Sequence, residues 1–238
     1  MAYDYIGIVN EVNRRLNEVE LTSSTFPTAT GFYATIKDAV NASIRDINHA
    51  AFEWPFNHIT AEDVLSVGIT RYSFPNDCNT IDFDTFRIKE DTTLGNATSK
   101  LEVVSYDDYL TNSVDQEYRT DKRELPRFVF QAPSLEFGVS PAPDKAYEVI
   151  YEYYRVPVDL ESDTDVPSVP ERFKHVIVDG AMYHAYMFRS NEQAANLAKS
   201  KMEEGVKRMR TMLVNRYAEM RSTAVVTSAT SSFGSRVV

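Results

Sequence analysis

Apolar residues recur every three or four positions in four stretches of this chain, and every second position in the region between them. Ile6, Val9, Val12, Leu16 and Val19 predict a first helix, with Asp4 placed to cap its free amides. Phe32, Ile36, Val40, Ile44, Ile47 and Ala51 form one stripe of a second helix over residues 31–51. Between them, the Thr- and Ser-rich stretch 21–27 reads as a loop, and Trp54-Pro55-Phe56 ends the second helix. Ser168, Pro170 and Glu171 carry a helix-start signature for the third. Behind them Val176, Ile177, Val178, Ala181, Met182 and Ala185 leave almost no polar face, as expected of a buried helix. Gly180, in its middle, marks a place where another backbone can come close. Ser190 and Gln193 repeat the start signature. Met202, Val206, Met209, Leu213, Tyr217 and Met220 then draw one face of a long amphipathic rod, about 45 Å if helical throughout.

Between Asn57 and Val166 the period falls to two. Strands are expected at 69–74, 81–84 with 86–88, 101–104, 127–130, 135–137 and 147–154, punctuated by Pro, Asn and Asp. Residues 106–118 read as a short helix or a loop. The fold expected is α+β: a helical bundle of two N-terminal and two C-terminal helices, an inserted antiparallel β-rich domain, and a flexible C-terminal tail. The boundaries are 1–56 and 168–220 for the two halves of the bundle, 57–167 for the β-rich insertion, and 221–238 for the tail. That tail has 8 Ser or Thr, no acid and a few apolar residues, too few to order it alone.

Charge sharpens this division. Of the formal −10, residues 57–169 hold 22 acids against 10 bases, and residues 189–238 hold 4 acids against 9 bases. The two regions present opposite fields, and the acidic one disfavours non-specific duplex binding through its surface. No apolar run reaches the length of a membrane span, and the N-terminus lacks the pattern of a signal peptide. Cys78 is the only cysteine, which excludes an internal disulfide and a thiolate zinc cluster.

Candidate chemistry is sparse. His175 and His184 lie nine residues apart, on opposite faces of one helix, and cannot share a metal. Glu161, Asp163 and Asp165 alternate without the glycine or closing glutamate of a calcium loop. Neither a phosphate-binding glycine loop nor a nucleophile elbow occurs. No catalytic residue, cofactor or metal site is expected, and the chain reads as a protein without enzymatic activity. Fourteen Tyr and 13 Phe instead suit a packed core and protein interfaces.

Several phrases, in order, resemble the head-to-tail adaptor or connector proteins of tailed bacteriophages, the group that includes tail tubular protein A. They are Val12-Asn13-Arg14-Arg15-Leu16-Asn17-Glu18, Ile36-Lys37-Asp38-Ala39-Val40-Asn41 before Trp54-Pro55-Phe56, and Tyr72-Ser73-Phe74-Pro75-Asn76-Asp77. Leu125-Pro126-Arg127-Phe128, Pro141-Ala142-Pro143-Asp144 and Val169-Pro170-Glu171-Arg172-Phe173 before Asp179-Gly180-Ala181 complete the set. The resemblance implies a structural virion protein at the head–tail junction, assembled in the host cytoplasm. It implies a ring of copies of itself, usually twelve, between the portal protein and a tail nozzle or tail tube protein. Double-stranded DNA would pass through without sequence-specific binding, and no membrane is involved. The tail would dock on the portal, with Val225, Val226 and Phe233 as anchors. Opposite charge on two parts of the chain favours head-to-tail packing of subunits, with Lys207, Arg208, Arg210 and Arg216 at the subunit interface. Alternative functions are a tail-associated cell-wall hydrolase and a host-surface glycan-binding module.

Overall fold

The computed structural model describes residues 3–51, 53–92 and 95–213. Five α-helices run through them: α1 (Tyr5–Arg15), α2 (Phe32–Ala50), α3 (Tyr106–Asn112), α4 (Lys174–Phe188) and α5 (Glu192–Leu213). Asp4 stands in extended conformation before α1, and its Oδ1 accepts the Gly7 amide at 2.8 Å, so the expected cap forms. The helix stops at Arg15 because Asn17 takes a left-handed φ of 58°, and Val19 is therefore exposed beyond it. At the far end of α2, Trp54 is fully buried and its Nε1 donates to the Ile47 carbonyl at 2.9 Å. That bond holds the chain against the helix it has just left.

Apolar faces of α1, α2, α4 and α5 share one core, in which Ile8, Val12, Ile36, Ile47, Ile177 and Met209 are solvent-free. Helix α4 lies innermost. A Cβ at Gly180 would stand 2.2 Å from Ser43 Oγ on α2 and 2.9 Å from Met202 Sδ on α5. A Cβ at Gly205 would stand 2.7 Å from a Val176 methyl. Both glycines therefore let helices approach to a distance that no side chain permits.

Two helix starts differ from expectation. Ser168 does not cap α4: its hydroxyl is buried and finds no partner among the described residues. Pro170 is extended, and the first turn, Glu171–Phe173, is a 3-10 turn closed by the Phe173 amide on the Pro170 carbonyl. The chain enters helix two residues too late for Ser168 to reach it. Nor does Ser190 cap α5. It adopts a left-handed φ of 56° that ends α4, and Asn191 Oδ1 accepts the Ala194 amide at 3.1 Å instead.

Among the described residues eight strands follow the first pair of helices: β1 (His58–Leu65), β2 (Arg71–Ser73), β3 (Cys78–Thr92), β4 (Gly95–Lys100), β5 (Glu102–Val103), β6 (Phe128–Ala132), β7 (Glu136–Ser140) and β8 (Tyr147–Arg155). They build two four-stranded sheets, ordered β1-β8-β3-β4 and β2-β7-β6-β5. Every pairing is antiparallel except β5 with β6. A parallel pair needs a long crossover, and the α3 segment supplies it, starting from Ser105, whose Oγ accepts the Asp108 amide. Between the sheets, Val149, Tyr151 and Tyr153 of β8 alternate inward with Phe86, Ile88, Val139 and Phe137. The register shifts between Asp82 and Arg87, which moves the buried series on β3 from odd to even positions. The fold is α+β.

Candidate assembly surface

Helix α5 buries Ala195, Ala198, Met202, Val206 and Met209, one side of a rod whose other side is charged. Where it leaves α2, a groove of about 750 Å³ opens between α2, α4 and α5. Its apolar lining is Ala50, Tyr183, Met202 and Val206. Around the opening stand Lys199, Lys207 and Arg210 from α5, with Asp46, His184 and Glu203. His184 Nε2 meets Asp46 Oδ2 at 2.9 Å, and Lys199 lies within 4.0 Å of Glu203. Lys207 and Arg210 take part in no ion pair among the described residues, and both are exposed.

A second surface lies where β8 returns to the bundle, in the segment 156–166. Its backbone is fixed at several points. Asn41 donates to the Leu160 carbonyl and accepts its amide, both at 3.0 Å, and Leu160 joins the helical core. The Asp165 and Asp163 carbonyls accept the Tyr5 and Ile6 amides at 2.8 and 3.1 Å, which satisfies first-turn donors of α1. Asp165 also accepts the Glu161 and Ser162 amides, each at 2.8 Å, and Arg45 reaches Asp159 at 3.3 Å. Burial, and then the charges of Asp38, Asp159 and Asp165, push the nearby Tyr5 hydroxyl well above the ordinary tyrosine range. It therefore stays a neutral donor, bonded to the Lys37 carbonyl at 2.9 Å. On this rigid frame Val158 and Val166 stand 79% and 62% exposed, and Glu161 and Asp163 of the same segment have carboxylates in no ion pair among the described residues.

Of the residues expected at a subunit interface, Lys207 and Arg210 come together on the groove. Arg208 is exposed on α5 and is held by Glu204 of the preceding turn. Arg216, and Val225, Val226 and Phe233, the residues expected to anchor on a portal, lie outside the described residues. The 156–166 segment is not legible as a surface from sequence, because its alternating acids Glu161, Asp163 and Asp165 resemble a calcium loop without completing one. The signal present was Val156-Pro157-Val158 and Val166-Pro167, valines beside prolines where no strand or helix could bury them. Among the described residues, no group of three His, Cys, Asp or Glu side chains is placed to hold a metal, and no helix is long and apolar enough to cross a membrane.

No individual curated protein matches the chain. The family model of the SU10 adaptor protein does, over residues 3–228, and so spans the helical core, both sheets and the segment between them. The chain belongs to the SU10 adaptor protein family: it is a phage structural adaptor, a virion component that works through contact with other head or tail proteins.

Proposed function

We propose that this chain is a head-to-tail adaptor without enzymatic turnover, similar in role to tail tubular protein A. Twelve copies form a ring between the portal and the tail nozzle or tube, and DNA passes through it. The observation that carries this reading is the family match over residues 3–228. The separation of charge supports it: an excess of 12 acids over bases in residues 57–169 stands against an excess of 5 bases over acids in residues 189–238. Opposite charge on two parts of a subunit favours head-to-tail packing, and such contacts close into a ring where the rotation between subunits permits. An acidic region also suits a channel in which DNA slides without sticking. The tail, 221–238, with Val225, Val226 and Phe233, docks on the portal. Each contact is weak alone and gains from repetition around the ring.

The test is sedimentation of the purified protein mixed with the portal protein of the same phage. One ring of twelve adaptors per portal ring is expected, with no release of fragments from host peptidoglycan. An adaptor that stays monomeric beside the portal, or that degrades peptidoglycan by itself, overturns the reading.

A further inference from the structure

The groove between α2, α4 and α5 and the 156–166 segment are complementary in apolar character and in charge. The groove is apolar inside, with Met202 and Val206, and carries at its mouth Lys207 and Arg210, cations in no ion pair among the described residues. The segment offers exposed Val158 and Val166 together with Glu161 and Asp163, anions in no ion pair among the described residues. They cannot meet within one subunit along α2. Asn41 and Arg45 of that helix hold the segment, whereas Asp46 and Ala50 line the groove. At about 100° per residue, these pairs point some 100–180° apart around the helix axis. Groove and segment thus sit on opposite flanks of the same subunit.

The geometry points to a second copy of this chain as the occupant of the groove: the 156–166 segment of one subunit inserts into the groove of its neighbour. Two different surfaces on opposite flanks make a heterologous contact, which repeats from subunit to subunit and closes into a ring if the rotation permits. A two-fold dimer would instead need one surface that fits itself. The segment is already held by Asn41, by the α1 amides and by the Asp165 turn, so docking orders little that is free beforehand. Apolar contact supplies attraction and the charges fix the register, so added salt weakens assembly. This contact rests on the ring proposed above and names the residues that close it.

Charge reversal on each side separates the possibilities. One variant carries Lys207→Glu with Arg210→Glu, and a second carries Glu161→Lys with Asp163→Lys. Lys207, Arg210 and Glu161 are exposed and Asp163 is half-buried, and none of the four is in an ion pair among the described residues, so both variants should fold with the circular dichroism and urea midpoint of the parent. Each alone should lose the ring that the parent forms with portal, by about tenfold or more in assembled fraction. Mixed in equal amounts they should regain it. The reversed groove of the first faces the reversed segment of the second, and the unaltered groove of the second faces the unaltered segment of the first. An isologous groove-to-groove contact would instead leave the second variant, whose groove is unaltered, assembling at the parent's level by itself. Rings from either variant alone at the parent's level, or no recovery on mixing, overturn the proposed contact while leaving the ring itself standing. A parent that forms no ring overturns both.

Discussion

Replacing Gly180 with alanine tests how tightly the helical core is built beneath the groove. Alanine is the better helix former, by about 1 kcal/mol, so on an open helix the change would stabilise. Here the new methyl would lie 2.2 Å from Ser43 Oγ, more than 1 Å inside ordinary contact by a rough van der Waals radius sum. That hydroxyl is buried and donates to the Ile177 carbonyl at 2.9 Å, so relief must bend the hydrogen bond or move α2 away from α4. A lost buried hydrogen bond costs about 1–3 kcal/mol, and overpacking adds a similar amount. With the helix-propensity gain set against both costs, the net expectation is a destabilisation of about 1–5 kcal/mol, read as a lower urea midpoint at unchanged slope. Truncating Ser43 to alanine in the same chain removes the nearest atom. What remains is the Met202 sulfur at 2.9 Å, which is the flexible end of a side chain, and the residue-43 Cβ at 3.0 Å. The double variant should therefore recover part of the loss, with a coupling of about 1 kcal/mol or more. A Gly180→Ala protein as stable as the parent, or effects that simply add, would refute the argument for close helix contact.

Two further outcomes follow from the same scaffold. Burial alone would raise the Glu11 carboxyl, but hydrogen bonding and charge from Lys174 at 3.0 Å and Arg15 at 2.9 Å outweigh it and hold it below the usual carboxylate range. Its contribution is therefore present above the unfolded value of about 4.3 and lost as pH falls through the lower folded value. Glu11→Gln should cost about 1 kcal/mol at pH 7, and the gap to the parent should close towards pH 3; an equal gap at both pH values would refute this. Deleting residues 222–238 should leave the urea midpoint unchanged while abolishing attachment to DNA-filled heads, measured by co-sedimentation. Truncated protein that joins heads at the parent's level would show the tail to be dispensable.

The helices were legible because each carries its own instructions. Asp4 marks the start of α1, Trp54-Pro55 the end of α2, and the spacing of Met202, Val206 and Met209 the inner face of α5. Where a local signature failed, neighbouring backbone had decided the matter: Pro170 delays the turn past Ser168, and Ser190 spends its conformation ending α4. Strands β1 and β4 went unread for different reasons. In β1 the sheet-facing series Ile59, Ala61, Leu65 is broken by Asp63, whose carboxylate accepts the Tyr151 hydroxyl across the sheet at 2.7 Å. β4, with the sequence Gly-Asn-Ala-Thr-Ser-Lys, has no apolar pattern, and it is a strand because β3 is long enough to pair with it. The surface at 156–166 depends on Asn41 and on the first amides of α1, more than a hundred residues away, which no local window contains. Lys207 and Arg210 could be singled out by charge, but their shared groove needed the three helices in place.

Electron micrographs of purified virions decorated with gold-conjugated antibody against this chain test the central claim most directly. A single cluster of label at the vertex where head meets tail, on every particle, is the result expected of a ring adaptor. Label spread over the capsid, along the tail or at its tip, or virions that carry no label, would contradict it.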